Sequence, residues 1–345
     1  MIISFAIASN SVRQLQSVWR NSCVSLSMLA MAMALCSVSG WAQSQGDAYP
    51  AKPVTFILPN VSGGTTDAEV RLYAQSLTET LGKPFLIDYK PGAGGILAGS
   101  AVAKGAPDGY LLLVATSSFT VTPAFSVGLP YDTLKDFAPV SLMTRRPTVL
   151  VAHPAFPANS FAEYVAYARA NPGKILWGTS GVGGGAHLSG VWLHSEIKAP
   201  ATFVHYKGSA QMYPDLLSGR IHVHPASLQT AMGNLRTGKT KALVILSLNR
   251  VAPLPDVKTA DEQGIDDFEQ PSYLGIVAAA RTPAPVIEKL SAELARIARI
   301  PAIGKKMEAD GTVMVGSTPV QFGQFIVKEV NRWVKLVREN NIKQE

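Results

Sequence analysis

The stretch VTFILPNVSGGTTDAEVRLYAQSLTETLG, residues Val54–Gly82, decides the fold. An apolar run is followed by a loop of glycine and small hydroxyl residues, and then by a helical pattern. Val70, Tyr73, Ala74, Leu77 and Leu81 recur at spacings of three and four, which puts them on one helical face. Thr66 followed by Glu69 predicts a capping box, and Gly82 with Pro84 predicts the stop. Strand, glycine loop and helix in that order form the opening of an α/β unit. Such a loop presents bare backbone N–H groups to something negative.

The same grammar repeats outward from it. PFLIDY is a strand, PGAGG a loop, and Ile96–Lys104 a helix of small residues, before the strand GYLLLVAT. From His153 the alternation starts afresh. A helix capped by Ser160 leads to the strand ILWGTS, the loop GVGGG and a helix through AHLSGVWLHSEI. ATFVHY, RIHVHPAS, KALVILSL and YLGIVAAA read as further strands. Two helices close the chain, one with Val286, Leu290, Leu294 and Ile297 inside. The other starts at Thr318–Pro319 with Phe322, Phe325, Val330, Trp333 and Val337 inside. Apolar strands alternating with helices predict two α/β halves, each a mainly parallel sheet flanked by helices.

The chain has 345 residues, 47% hydrophobic and 16% charged, with a net charge of +7. That is a globular composition of two-domain size. Its first segment reads differently. Arg13 and Arg20 precede the apolar run CVSLSMLAMAMALCSVSGWA, and Gly40 and Ala42 stand at −3 and −1 before Gln43. Basic, apolar and small residues in that order predict a cleaved secretory signal over residues 1–42, and export to the periplasm. Leu35 stands before Cys36, where a lipoprotein signal takes a small residue. Both cysteines, Cys23 and Cys36, fall in this leader, so the mature chain can form no disulfide or thiolate site. Lys and Arg are scattered without a basic stripe, which argues against nucleic acid as a partner.

Three loops share one design: Ser62–Thr66, Pro91–Gly95 and Ser180–Gly185. Glycine removes the Cβ that would hold a ligand away, and the following helix start supplies unpaired N–H donors and a partial positive charge. Two such loops in opposite halves suit an acid with a carboxylate at each end. Gly181, Gly183 and Ala186 also satisfy G-x-G-x-x-A between a strand and a helix, which keeps an NAD- or nucleotide-binding enzyme as the alternative. The acid expected about twenty residues on is missing, since TFVHYKG ends that next strand with His205 and Lys207. No Walker loop occurs, and Val182 breaks the nucleophile elbow in GTSGV. His222 and His224 lack a third ligand, so no metal is expected. Asp67, Asp88, Asp108 and Asp132 sit beside turn residues, where Asp acts as a cap. Neither catalysis nor a cofactor is expected.

These residues resemble those of the substrate-binding receptors of the tripartite tricarboxylate transporters, the Bug family. The resemblance spans the mature chain and is carried by YPAKPVTFILPNVSGGTTDAEV, PGAGG, AVAKGAPDGYLLLVAT, LPYDTLKDFAPVSLM, TSGVGGGAHL, YKGSA, DLLSGRIHV, LPDVKTADEQG and VGSTPVQFGQFI. It implies a two-domain periplasmic-binding-protein (Venus-flytrap) fold that closes on a mono- or dicarboxylate in the interdomain cleft, then delivers it as a monomer to membrane transporter subunits. Domain 1 would comprise residues 48–148 plus 272–345 and domain 2 residues 149–271, with crossings near Thr148–Val151 and Pro271–Gly275. The contacts it implies are Ser62, Gly63, Gly64 and Thr65 in the first domain, with Thr116 and Ser117. In the second they are Ser180, Gly181, Val182 and Gly183, with Tyr206 and Lys207. Val61 and Ser62 stand where relatives often carry a proline pair. Ala226 stands where many carry an Asp facing the ligand, which implies a plain or aromatic dicarboxylate over one with an amine.

Overall fold

The computed structural model describes residues 49–125, 128–179, 181–206, 209–270, 272–309 and 311–342. The expected leader with Cys23 and Cys36, and the expected contacts Ser180 and Lys207, lie outside these residues.

Strand pairing yields two sheets. In the first, β1 (Val54–Leu58), β2 (Phe85–Tyr89) and β3 (Leu111–Thr116) run parallel, because a helix-bearing crossover returns the chain each time. The order is β11-β4-β10-β3-β1-β2, with β4 spanning Phe137–Arg145, β10 Tyr273–Ala279 and β11 Val313–Met314. The second has the order β7-β6-β8-β5-β9, from β5 (Thr148–Ala152), β6 (Leu176–Thr179), β7 (Thr202–His205), β8 (Val223–Ser227) and β9 (Lys241–Ile245). Both sheets are mixed rather than mainly parallel. β10 pairs antiparallel with β3 and β4, and β5 antiparallel with β8 and β9. Apolar runs mark burial on both faces but carry no information on strand direction.

The helices fall largely where the periodicity puts them. α1 spans Thr65–Leu81, α2 Ile96–Ala103, α3 Ser117–Val121, α4 Phe161–Ala170 and α5 Gly185–Glu196. α6 covers Ser209–Leu217, α7 Leu228–Arg236, α8 Ala284–Ala298, α9 Pro301–Ala309 and α10 Pro319–Glu339. Gly82 ends α1 in the left-handed conformation at φ +69°. Ser160 accepts from the Glu163 amide at 3.2 Å, and Thr318 and Gln321 complete a reciprocal cap on α10. The predicted cap of α1 is a correction. Its N-cap is Gly64, which has no side chain, and Glu69 is turned into the interior. There Glu69 accepts from the Thr144 hydroxyl and pairs with Arg146. A buried ion pair outcompetes a solvated cap, because each charge left alone inside costs about 3–5 kcal/mol.

The chain passes from the first sheet to the second through Arg146–Pro147, just before the expected Thr148. It returns through the segment preceding β10. The two passages are bonded, Arg146 N–H donating to Ser272 C=O at 2.7 Å. Salt links flank them: Arg146 with Glu69, and Arg145 Nη1 with Glu269 at 3.1 Å. α10 returns across both sheets' helices. Its Trp333, Leu336 and Val337 pack with Val121 of α3 and Leu188 of α5 in one apolar cluster.

The strand histidines serve the backbone. His222 Nδ1 accepts from the Leu176 amide at 3.1 Å, and His224 Nδ1 meets the Gly178 carbonyl at 2.9 Å. β6 and β8 share a single registered pair, Trp177 with Val223, so these rings complete the join between the strands. Burial drives the His224 pKa down to about 4 and keeps the ring neutral.

Candidate functional site: a cavity between two glycine loops

Ligand sites of open α/β sheets lie beyond the carboxyl ends of the parallel strands. Here those ends carry the glycine loops. The loop after β1 is exposed at Ser62, Gly63 and Gly64. Gly63 N–H donates to Asp67 Oδ2 at 2.8 Å, so this amide is engaged inside the loop. Asp67 also accepts from the Tyr89 hydroxyl at 2.7 Å and pairs with Arg71 at 3.1 Å. Burial opposes its charge, yet the Gly63 amide, Tyr89 and Arg71 outweigh that and hold its pKa below the ordinary carboxylate value.

The loop after β2 reaches α2 through Gly94 and Gly95, both left-handed, at φ +61° and +93°. Gly95 caps α2 with no side chain. A Cβ there would stand 3.2 Å from Ser118 Oγ, so glycine admits the close approach of the next loop. That loop follows β3, where Thr116 Oγ1 and Ser118 Oγ lie 3.0 Å apart and Ser117 opens α3.

In the second sheet, β6 runs through Gly181–Gly184 into α5, capped by Gly184 without a side chain. Gly183 sits at φ +72°, and a Cβ on it would stand 3.3 Å from the Phe125 ring of the first lobe. Gly183 N–H donates to His187 Nδ1 at 3.0 Å. Burial and the neighbouring His205 lower the His187 pKa to about 4, which keeps Nδ1 an acceptor. Thr179 Oγ1 holds His205 Nδ1 at 2.8 Å, fixing the floor of this loop.

The two sides enclose a cavity of about 210 Å³. Gly94, Ile96, Ser117, Ser118, Val121, Thr122 and Phe125 line it from the first lobe, and Val182–Gly185 from the second. None of these residues carries a charge. Polar contact comes from main-chain groups, from three hydroxyls and from the starts of α2 and α5. The first amides of α5, at Gly185 and Ala186, have no partner within the helix and Gly184 supplies no side-chain one, whereas at α2 the tight turn Ala93–Gly95 already engages the Gly95 and Ile96 amides, on the carbonyls of Gly92 and Ala93. Such starts favour anions by about 0.3–1 kcal/mol each when exposed.

The expected contacts distribute unevenly. Ser117, Val182 and Gly183 line the cavity. Thr116 borders an adjoining recess with Gly94, Gly95 and Ser118. Ser62, Gly63 and Gly64 do not line it, and the backbone of Thr65 begins α1 beside them. Gly181 belongs to the second loop, with its carbonyl 3.3 Å from Thr179 Oγ1. The Tyr206 hydroxyl is spent on Asp215 at 2.8 Å, so it braces its loop. Ala226 is a correction: it is buried in the core with Val149, Met212, Ile221 and Ile245, and its methyl faces no ligand space. Alternation along β8 sends that position into the lobe interior. The sequence reading missed Ser118, Thr122 and Phe125. The visible clue was PGAGG, because the loop that shares its sheet edge also had to face the ligand space.

A family described as "Tripartite tricarboxylate transporter family receptor" matches residues 70–342. Protein BugT of Bordetella pertussis is 32% identical over 299 residues, covering 86% of this chain and 92% of BugT. The structure of R. palustris Rpa4515 with adipate is 30% identical with a TM-score of 0.73, covering 86% of this chain and 100% of that one. MatC from Rhodopseudomonas palustris, with bound malate, is 31% identical with a TM-score of 0.70, covering 84% and 100%. The two mixed sheets are thus the two lobes of a solute-binding fold. The match along most of its length establishes that the chain belongs to the tripartite tricarboxylate transporter receptor family.

Proposed function

We propose that this protein captures a small dicarboxylate in the cavity between its lobes and delivers it to the membrane subunits of a transporter. It acts as a periplasmic monomer after loss of residues 1–42, without cofactor or catalysis. Domain 1 is residues 48–148 with 272–345 and domain 2 is 149–271, hinged at the two bonded crossings. The observation that carries the reading is the pairing of two side-chain-free helix starts, Gly94–Ile96 and Gly184–Gly185, around one uncharged cavity. A carboxylate at each end would meet main-chain donors. Ser62–Thr65, in the loop that follows β1, would form the outer wall as the lobes close, and Ser180 and Lys207 are proposed as further ligand contacts of domain 2. Closure is a population shift, because the ligand binds the closed arrangement better.

The lining also selects among acids. Ile96, Val121, Phe125 and Val182 offer an apolar wall for a hydrocarbon chain, and Ser117, Ser118 and Thr122 accommodate a hydroxyl. An ammonium group would find no lining carboxylate, and burying it unpaired is costly. Adipate bound to Rpa4515 and malate bound to MatC are of the favoured kinds. Thermal unfolding with adipate, malate, aspartate and NAD tests this. At about 100-fold excess over Kd a ligand adds roughly 2.7 kcal/mol of stability, several degrees of Tm. Adipate or malate should raise Tm, while aspartate and NAD leave it unchanged. A shift with NAD, or with aspartate alone, contradicts the reading.

A further inference from the structure

A second and larger opening, about 650 Å³, lies on the other flank of the hinge. Pro147 of the first crossing forms its base. Val251–Pro253, which follow β9, form one wall, and Ile300, Val313 and Met314 form the other. Like the ligand cavity, it is built from both lobes. The sheet orders fix its relation to that cavity. The cavity loops follow β3, β2 and β6, whereas the groove runs against β11 and beyond β9. The crossing strands β4, β10 and β5 stand between. A rotation about segments lying between two openings widens one as it narrows the other. Closure on a ligand therefore opens this groove.

Its chemistry is that of a protein-binding surface. The rim carries Arg250, Arg299 and Lys305 against one acid, Glu308. Arg250 is held by Glu262 at 2.9 Å. Arg299 and Lys305 are exposed and, among the described residues, pair with no carboxylate. The floor is apolar, with half-exposed Val313 on β11, the edge strand of the first sheet. An edge strand beside an apolar trough accepts an extended segment by strand addition.

We propose that this groove is where the membrane subunits recognise the loaded receptor, by seating an extended segment with Asp or Glu side chains flanking apolar ones. This rests on the delivery reading above. A receptor that hands over cargo only when loaded must show a surface whose shape depends on closure, and the hinge groove is such a surface. The charge match supplies orientation and speed of encounter more than affinity.

The test is uptake of radiolabelled adipate into proteoliposomes that contain the cognate membrane subunits. It compares wild type with the double variant Arg299→Glu/Lys305→Glu and with a control of equal charge outside the groove, Lys335→Glu/Arg338→Glu. Adipate affinity of each purified receptor is measured alongside. The expected result is that the groove variant binds adipate as wild type does while its uptake falls roughly tenfold or more, and the control stays near wild type. Uptake within about twofold of wild type overturns the proposal. So does an equal fall in the control, which reports net charge alone, or a parallel loss of adipate affinity. A wild-type receptor that binds adipate yet drives no uptake defeats the delivery reading itself, and the groove's role with it.

Discussion

Gly183 stands where the two lobes come close at the cavity. It adopts φ +72° and lies under the Phe125 ring, which comes from the opposite lobe. A side chain there strains the backbone and crowds the Phe125 ring, which must give by a few tenths of an ångström at the cavity wall. Gly183→Ala should therefore weaken adipate binding by roughly tenfold, with about 1 kcal/mol lost from the unliganded protein. Calorimetric titration and unfolding of the same samples separate the two effects. Unchanged adipate affinity in this variant would mean that the lobes do not meet at this point when loaded. Phe125 itself was invisible in the sequence, since one aromatic in PAFSVGLP has no pattern to announce it. Its partner was visible as a glycine, but the ring that makes glycine necessary belongs to the other lobe.

Elements were legible in proportion to how local their causes are. The start of α10 follows from Thr318, Pro319 and Gln321 alone, and the structure has that cap. The face of α8 likewise follows from spacing, and Val286, Leu290, Leu294 and Ile297 are all buried. Where the cause is distant, reading failed. Glu69 fits a cap by its spacing, but Arg146 claims it from the far side of the lobe. Ala226 sits in a strand whose register decides its face, and that register depends on pairing with β5. Strand direction is equally remote, because a chain that crosses twice between lobes forces β5 and β10 to run against their neighbours. The candidate site shows the same division. Glycine-rich loops mark where an anion would lie, yet only the folded cavity shows that the loops after β2 and β3, rather than the one after β1 between them, line it together with the second lobe.

At the scale of the whole molecule, buried titratable groups set how stability follows pH. His187, His194 and His224 are buried, and desolvation lowers each pKa to about 4. The folded chain binds fewer protons than the unfolded chain between about pH 4 and 6.5, so these three lose stability as pH falls through that window. Glu329 acts oppositely. Burial, with Glu269 nearby, raises its pKa to about 7, although Arg332 pulls it down. The folded chain holds that proton longer than the unfolded one, so this group's contribution shrinks as pH rises from about 4.3 to 7. Three opposing one, Tm should fall on acidification from pH 7 to about 4. Glu329→Gln should raise Tm at pH 8 relative to wild type and leave it near wild type at pH 5. A lower Tm at pH 8 would show that the Arg332 pairing outweighs burial.

If the proposed function is right, main-chain groups from both lobes hold the two ends of one small acid. The most direct measurement is a crystal structure of the protein with adipate. One carboxylate should lie within about 2.7–3.2 Å of main-chain amides beside Gly94 in the loops after β2 and β3 on the first lobe, and the other within that range of Gly184–Ala186. Adipate held by Lys or Arg side chains, or seated in the groove beside Pro147, would contradict it.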